Sequence, residues 1–284
     1  MTGASPAFEL IEAAAAGPVV LSVPHAGREY SAEHRALVRP PVERLLALED
    51  RLVDELVRGL PDTPTLIATA PRAWIDLNRH EAELDPGLVE GAVASRLMLT
   101  AKVRSGLGLV PRRLANVGEI WRGRLPLSDV ETRLAAVHRP YHAALRSLLR
   151  TSLDAHGTAI LLDIHSMPPL TAKEGQAAQL VIGTRFGQSA ASWVASAIGA
   201  TCDRLGLAWQ ENTPYAGGHI VERHGSPQHG IHAVQLEFDR SLYLDDQLRA
   251  CDPARLVRTR RLLAEIVGDL RHAALDQALP LAAE

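Results

Sequence analysis

Four short stretches of this chain carry side chains that could do chemistry together: Pro24-His25-Ala26-Gly27, Asp76-Leu77-Asn78-Arg79, Asp163-Ile164-His165-Ser166 and Gln235-Leu236-Glu237-Phe238. Two imidazoles and one carboxylate make the ligand set of a catalytic zinc centre that keeps its fourth position for water. Such an ion brings the pKa of a coordinated water to ~7, so hydroxide is at hand at neutral pH. Glu237 would be a further carboxylate, a general base that takes the water's proton and hands it to a leaving amine. Arg79 offers a planar guanidinium that matches a substrate carboxylate, with Asn78 beside it. These residue types specify metal-assisted hydrolysis of an amide on a small acidic molecule. A lone histidine beside a strand end is as readily a packed core residue as a ligand. Two at matching positions, joined by Glu237 and Arg79, shift the reading to chemistry.

Elements must bring these residues together. In residues 157–168, GTAILLDIHSMP, the apolar run from Ala159 to Leu162 is too short for a helix and too continuous for a half-exposed strand. It predicts a strand buried on both faces. Val19 to Val23 predicts a second strand, broken by Pro24 and Gly27 just as His25 appears. Thr65–Thr69 and Ala73–Leu77, split at Pro71-Arg72, are two more short apolar runs, and with Gln179–Gly183 and His232–Phe238 they bring strand ends to Arg79, Arg185 and Glu237. Open α/β sheets place their sites at the carboxyl ends of parallel strands, where these polar residues fall.

Helical spacing predicts helices over 42–60, 86–99, 128–150, 189–205 and 253–275, the third with Ser128 as N-cap and Glu131 completing a capping box. On the wheel of 42–60, Glu49 falls inside the apolar stripe, Asp50 at its edge, and Asp54 and Glu55 on the solvated side. A carboxylate facing a core is costly unless paired or bound to a metal. The third ligand is therefore Glu49 or Asp50, unless Asp50 caps a helix starting at Arg51. Residues 106–126 form a Gly/Pro-rich connection of a length common in lids and sites. Gly217-Gly218 permits positive φ and close backbone approach. The whole predicts an α/β protein: a single domain, residues 1–284, with a central mixed, largely parallel sheet flanked by helices.

Composition narrows the partners. The net charge of −3 gives no case for nucleic acid or an anionic membrane, and 4% aromatic residues give no base-stacking platform. Cys202 and Cys251 are the only cysteines, which excludes a disulfide framework or a cysteine-rich zinc module. The run Ala13–Ala16 is broken at Gly17-Pro18 and is no signal peptide, and no apolar segment approaches the ~20 residues of a membrane span. A cytoplasmic protein is the expectation.

The stretches SVPHAG (22–27), DLNR (76–79), DIHSMP (163–168), NTPYAGG (212–218) and QLEFDRSLY (235–243) together resemble the N-formylglutamate amidohydrolase (deformylase) family, in order over residues 18–245. That family is similar in fold to zinc carboxypeptidases and aspartoacylases. The resemblance implies one divalent metal, zinc first, held by His25, His165 and a carboxylate. Three residues after His25, where the related pattern has a glutamate, stands Arg28, so the carboxylate comes from elsewhere; LALEDRLVDEL favours Asp50, whereas the wheel favours Glu49. It further implies Asn78 and Arg79 as carboxylate binders, Glu237 as general base, and Arg72, Tyr215 and His224 as pocket residues. The implied reaction releases formate from N-formyl-L-glutamate, a late step of histidine breakdown, with Arg79 and a second cation, Arg72 or Arg185, neutralising the two carboxylates. Rival readings are a metallohydrolase for another N-acyl amino acid or short peptide, and a metal-free binding protein for an acidic ligand.

Overall fold

The computed structural model describes residues 6–13, 17–60, 62–171 and 176–278; most of the Ala13–Ala16 run lies outside them. A seven-stranded sheet is built from β1 (Phe8–Ile11), β2 (Val19–Val23), β3 (Thr65–Ala68), β4 (Ala159–Met167), β5 (Leu180–Gly183), β6 (Trp209–Glu211) and β7 (Ile231–Asp239). Their spatial order is β1-β3-β2-β4-β7-β5-β6. β4 runs parallel to both β2 and β7, while β5 runs antiparallel to β7 and parallel to β6. The fold is thus α/β with a mixed, mostly parallel sheet flanked by helices.

β4 is buried along all nine residues, the outcome its continuous apolar run requires. Each large aliphatic side chain removed from water there contributes roughly 1.5–3 kcal/mol. The strand does not stop at Leu162. It continues through Asp163, His165 and Ser166, which are buried polar residues inside the strand rather than beyond it. β7 pairs with it so that Glu237 stands opposite His165. On the other side β2 places Ser22 opposite Asp163.

Packing divides the chain into two compact units: Met1–Glu9, Pro24–Glu49 and Ile67–Ala144 in the first, Leu10–Val23, Asp50–Leu66 and Leu145–Glu284 in the second. In the second, α2 (Ser192–Arg204) and α4 (Pro253–Ala278) pack on each other, and α4 also lies against β2. Leu263, Ile266, Val267, Leu270 and Ala274 of α4 are buried, at the 3–4 residue spacing of a core-facing stripe. The short α3 (His219–His224) follows the Gly217-Gly218 pair. Among the described residues no helix is long and apolar enough to cross a membrane.

In the first unit, α1 (Arg139–His156) begins after a helical run Leu127–Arg133 and a π-helical turn Leu134–His138, and continues into the second unit. Val130, Leu134, Val137 and Tyr141 form its buried stripe. The run starts after Pro126, so Ser128 lies inside the helix and the expected capping box is not made. Arg133 is only 1% exposed, stacked 3.5 Å from the Trp74 ring and 4.6 Å from that of Trp121, with Asp129 at 2.6 Å. Residues 106–126 are no bare loop: Leu109, Val110, Ile120 and Trp121 are buried, and Arg113–Leu114 pairs with Gly118–Glu119.

Three expected elements differ. Residues 42–60 are not one helix but Val42–Leu45, a 3-10 turn Leu46–Leu48, and Asp54–Val57. Leu52 takes φ 54°, which breaks the helix, and Asp54 is buried rather than solvated, paired to Arg58 at 3.3 Å. Ala73–Leu77 forms turns instead of a strand, because its polar neighbours are tied by side chains rather than by a ladder. The stretch 86–99 holds a two-residue strand, Val89–Glu90, and a 3-10 turn, Ala94–Arg96, in place of a helix.

Gly27 forms an isolated parallel bridge to Pro71, and a Cβ at Gly27 would fall 2.0 Å from the carbonyl oxygen of Ala70. The oxygen that the Cβ would meet is backbone, so little can give. Gly27→Ala is expected to lower unfolding free energy by about 1–3 kcal/mol. Urea denaturation checks this, and a change below about 0.5 kcal/mol would contradict the close approach.

Candidate functional site

In the second unit, His165 is clamped between two carboxylates. Its Nδ1 lies 2.8 Å from Asp50 Oδ2 and its Nε2 lies 2.8 Å from Asp163 Oδ2. Asp163 and His165, two apart on one strand, share a face of the sheet. The Ser22 hydroxyl donates to Asp163 Oδ1 at 2.7 Å, so this acid is oriented from β2 as well. Burial acts to lower the His165 pKa, but the charges of Asp163 and Asp50 and their hydrogen bonds overcome it and raise it well above the ordinary value. Of the two acids left open by the sequence, Asp50 is the one against His165. Glu49, also buried, lies in the first unit, where burial and the Glu49 charge together raise the pKa of Tyr30.

Glu237, opposite His165 in the parallel β4–β7 register, faces the same side of the sheet. It accepts a hydrogen bond from Gln235 Nε2 at 2.8 Å, and Gln235 Oε1 accepts from the Gly218 N–H at 2.8 Å. The Gly217-Gly218 pair therefore orients the candidate base through Gln235. Gly217 has φ 111°, and a Cβ there would meet Val221 Cγ2 at 2.8 Å, so the close approach is to protein. Tyr215 is partly exposed; burial, then the charge of Glu237, raise its pKa, with Arg240 opposing and Asp50 adding. Arg240 Nε donates to Ser166 Oγ at 3.1 Å, and its Nη2 is 3.7 Å from Asp50 Oδ1. Arg185, expected at the same edge as Glu237, is not there. β5 runs antiparallel, so its carboxyl end at Gly183 lies opposite Gln235 and points toward the start of β7, and Arg185 pairs with Glu222 at 2.6 Å.

In the first unit, His25 is held in the same manner. Its Nε2 lies 2.8 Å from Asp76 Oδ1. Asp76 also accepts from the Asn78 N–H at 2.9 Å and from Arg72 Nε at 2.9 Å. Burial acts against its charge, but Arg72, His25 and Arg79 hold its carboxyl well below the usual carboxylate range. Arg79 is fixed by two backbone carbonyls, Nε to Leu107 at 2.9 Å and Nη1 to Asn78 at 2.7 Å. His138 and His142, buried one turn apart, pair through Nε2 with the carbonyls of Arg79 (2.9 Å) and Leu77 (3.0 Å), on either side of Asn78. Neither histidine stands out in the sequence as a site residue; helical spacing alone shows only that they share a face.

Metal-binding histidines usually donate their second ring nitrogen to a carboxylate, which fixes tautomer and ring orientation. His165 with Asp163 and His25 with Asp76 each have that partner. A proton shared between His165 Nδ1 and Asp50 is also what a divalent cation can replace. The donor set is therefore chemically fit for a metal, and His and Asp groups able to hold one are present.

The family model described as N-formylglutamate amidohydrolase matches residues 17–244. An N-formylglutamate deformylase of Pseudomonas putida is 30% identical over 252 residues, 81% of this chain and 82% of the relative. One of Pseudomonas aeruginosa is 28% identical over 270 residues, 89% of this chain and 92% of the relative. The crystal structure of N-formylglutamate amidohydrolase from Ralstonia eutropha JMP134 superposes with a TM-score of 0.82 at 28% identity, covering 95% and 96% of the two chains. A gene product of Agrobacterium tumefaciens shares the fold, with a TM-score of 0.62 at 18% identity over 94% of this chain and 96% of that one.

His224 at the end of α3 is 8% exposed. Burial, then the charges of Arg223, His219 and Arg146, push its pKa from 6.5 down to about 3. Between those values the unfolded chain binds the proton and the folded chain does not. The stability it contributes is therefore complete above pH 6.5 and is lost as pH falls toward 3, at up to about 1.4 kcal/mol per pH unit. His224→Gln is expected to flatten the fall in urea midpoint between about pH 6.5 and 4.5. An unchanged slope in the variant would show that His224 takes its proton freely in the folded protein.

Proposed function

The chain belongs to the N-formylglutamate amidohydrolase family, and we propose that it hydrolyses the formamide bond of N-formyl-L-glutamate to L-glutamate and formate, in the cytoplasm. The observation that carries this reading is the pair of buried imidazoles, each backed by a buried aspartate, with Glu237 in register beside one of them. The chain is read as one amidohydrolase domain, since the family match runs through residues of both units.

We assign His25, Asp50 and His165 as the holders of one divalent cation, zinc first. His25 and His165 would ligate through Nδ1, because Nε2 of each is occupied by Asp76 or Asp163. Bound there, the cation supplies Lewis-acid polarisation of a carbonyl and a lowered pKa for water. Glu237 removes the proton from the attacking water and delivers it to the glutamate nitrogen as the C–N bond breaks. The Gln235 amide fixes which oxygen of Glu237 does this. Arg79 and Asn78 receive a substrate carboxylate on a guanidinium plane already set by Leu107 and Asn78 carbonyls. Preset donors cost no reorganisation at the moment of reaction. Arg72, Tyr215 and His224 are assigned as further substrate-binding residues, His224 as the neutral imidazole that its lowered pKa favours.

Formate release from N-formyl-L-glutamate, compared with N-acetylglutamate and formyl peptides, tests the substrate. Purified protein is expected to carry about one divalent ion per chain, and chelation is expected to abolish turnover until metal is restored. Full activity in protein stripped of metal would sink the assignment. Glu237→Gln is expected to cut kcat by roughly 10²- to 10⁴-fold while leaving metal content unchanged. A near-wild-type rate in that variant would move the base elsewhere.

A further inference from the structure

We propose that Arg240 is a specificity-determining residue, the second cation that receives one carboxylate of a dicarboxylate substrate. The inference rests on the N-formylglutamate reading and extends it. A substrate with two negative charges entering this part of the second unit meets Asp50, Asp163 and Glu237, all buried. Without a fixed cation beside them, the second carboxylate would be repelled in a region of low dielectric. Arg72 gives its Nε to Asp76 at 2.9 Å within the first unit. Arg185 is paired with Glu222 and lies past the other end of an antiparallel strand.

Arg240 has the required placement. It stands three residues after Glu237, where the Asp239 side chain accepts from the Ser241 N–H at 2.8 Å and sets the 3-10 turn Arg240–Leu242. Its Nε is anchored to Ser166, the neighbour of His165 on β4. Its Nη2 lies 3.7 Å from Asp50 Oδ1, an ion-pair distance. The guanidinium is thus held beside both Ser166 and Asp50, and its planar fork is the donor geometry that matches a carboxylate. The side chain is 15% exposed, buried enough to strengthen a charge pair yet open to a ligand. The charges of Glu237, Arg240 and Asp50 all act on the Tyr215 hydroxyl.

The test compares wild type, Arg240→Met and Arg240→Lys on N-formylglutamate and its two mono-amides, N-formylglutamine and N-formylisoglutamine. Wild type is expected to prefer the dicarboxylate to both. In Arg240→Met the preference over one of the amides is expected to fall roughly 10- to 100-fold, the size of one charge-assisted pair, with Arg240→Lys in between. Metal content and thermal melts are measured on the same samples, and calorimetry compares glutarate with butyrate binding. Equal losses on all three substrates, or a parallel loss of metal, would mean that Arg240 only steadies Asp50 and would overturn the proposal. If wild type fails to hydrolyse formylglutamate, calorimetry still decides. Glutarate preference erased by Arg240→Met upholds the role of Arg240 while the proposed substrate falls; glutarate preference untouched by the substitution removes it.

Discussion

Two buried histidines are held in place by two buried aspartates, and the remaining site geometry follows from that requirement. A carboxylate with no water around it must be paid for by charge and hydrogen bonds. Asp163 obtains them from His165 and Ser22, and Asp76 from His25, Arg72 and the Asn78 amide. In each case the aspartate takes the Nε2 side of the imidazole. The cost of burying each acid is thereby converted into orientation of a ring.

The first unit shows how far such orientation reaches. Asp76 gathers His25, Arg72 and Asn78 around one carboxylate, while His138 and His142 hold the backbone on both sides of Asn78. The result is a stretch with no regular secondary structure in which the Asn78 N–H and the carbonyls of Leu77, Asn78 and Arg79 nevertheless have partners. In the second unit a comparable chain runs from Gly218 through Gln235 to Glu237. Side chains held on such supports stay within the narrow tolerance that catalysis needs.

The buried strands are legible because a short, continuous apolar run bounded by turn residues fits a strand covered on both faces better than any half-exposed element. β4 and β7 carry His165 and Glu237, and His25 follows two residues after β2 ends. The site acids are only partly legible. A wheel for 42–60 assumes an unbroken helix, and the positive φ of Leu52 removes that premise, which is why Glu49 and not Asp50 falls in the stripe. Asp163 is readable as the partner of His165, since residues two apart on a strand share a face. Asp76 cannot be joined to His25 across 51 residues by any local rule. Arg185 is misplaced from sequence because the apolar pattern of β5 does not encode its direction relative to β7. Ala73–Leu77 looks like a strand by composition, yet its backbone is organised by side chains contributed from distant positions.

β4 carries a ligand-type histidine and its supporting acid with an isoleucine between them. Side chains alternate across a sheet, so sliding this strand by a single position would turn Asp163 and His165 away and present Ile164 in their stead. Correct alignment during folding and the appearance of the reactive groups are for this reason a single event. A misaligned chain would be not a slow enzyme but a greasy, inert surface.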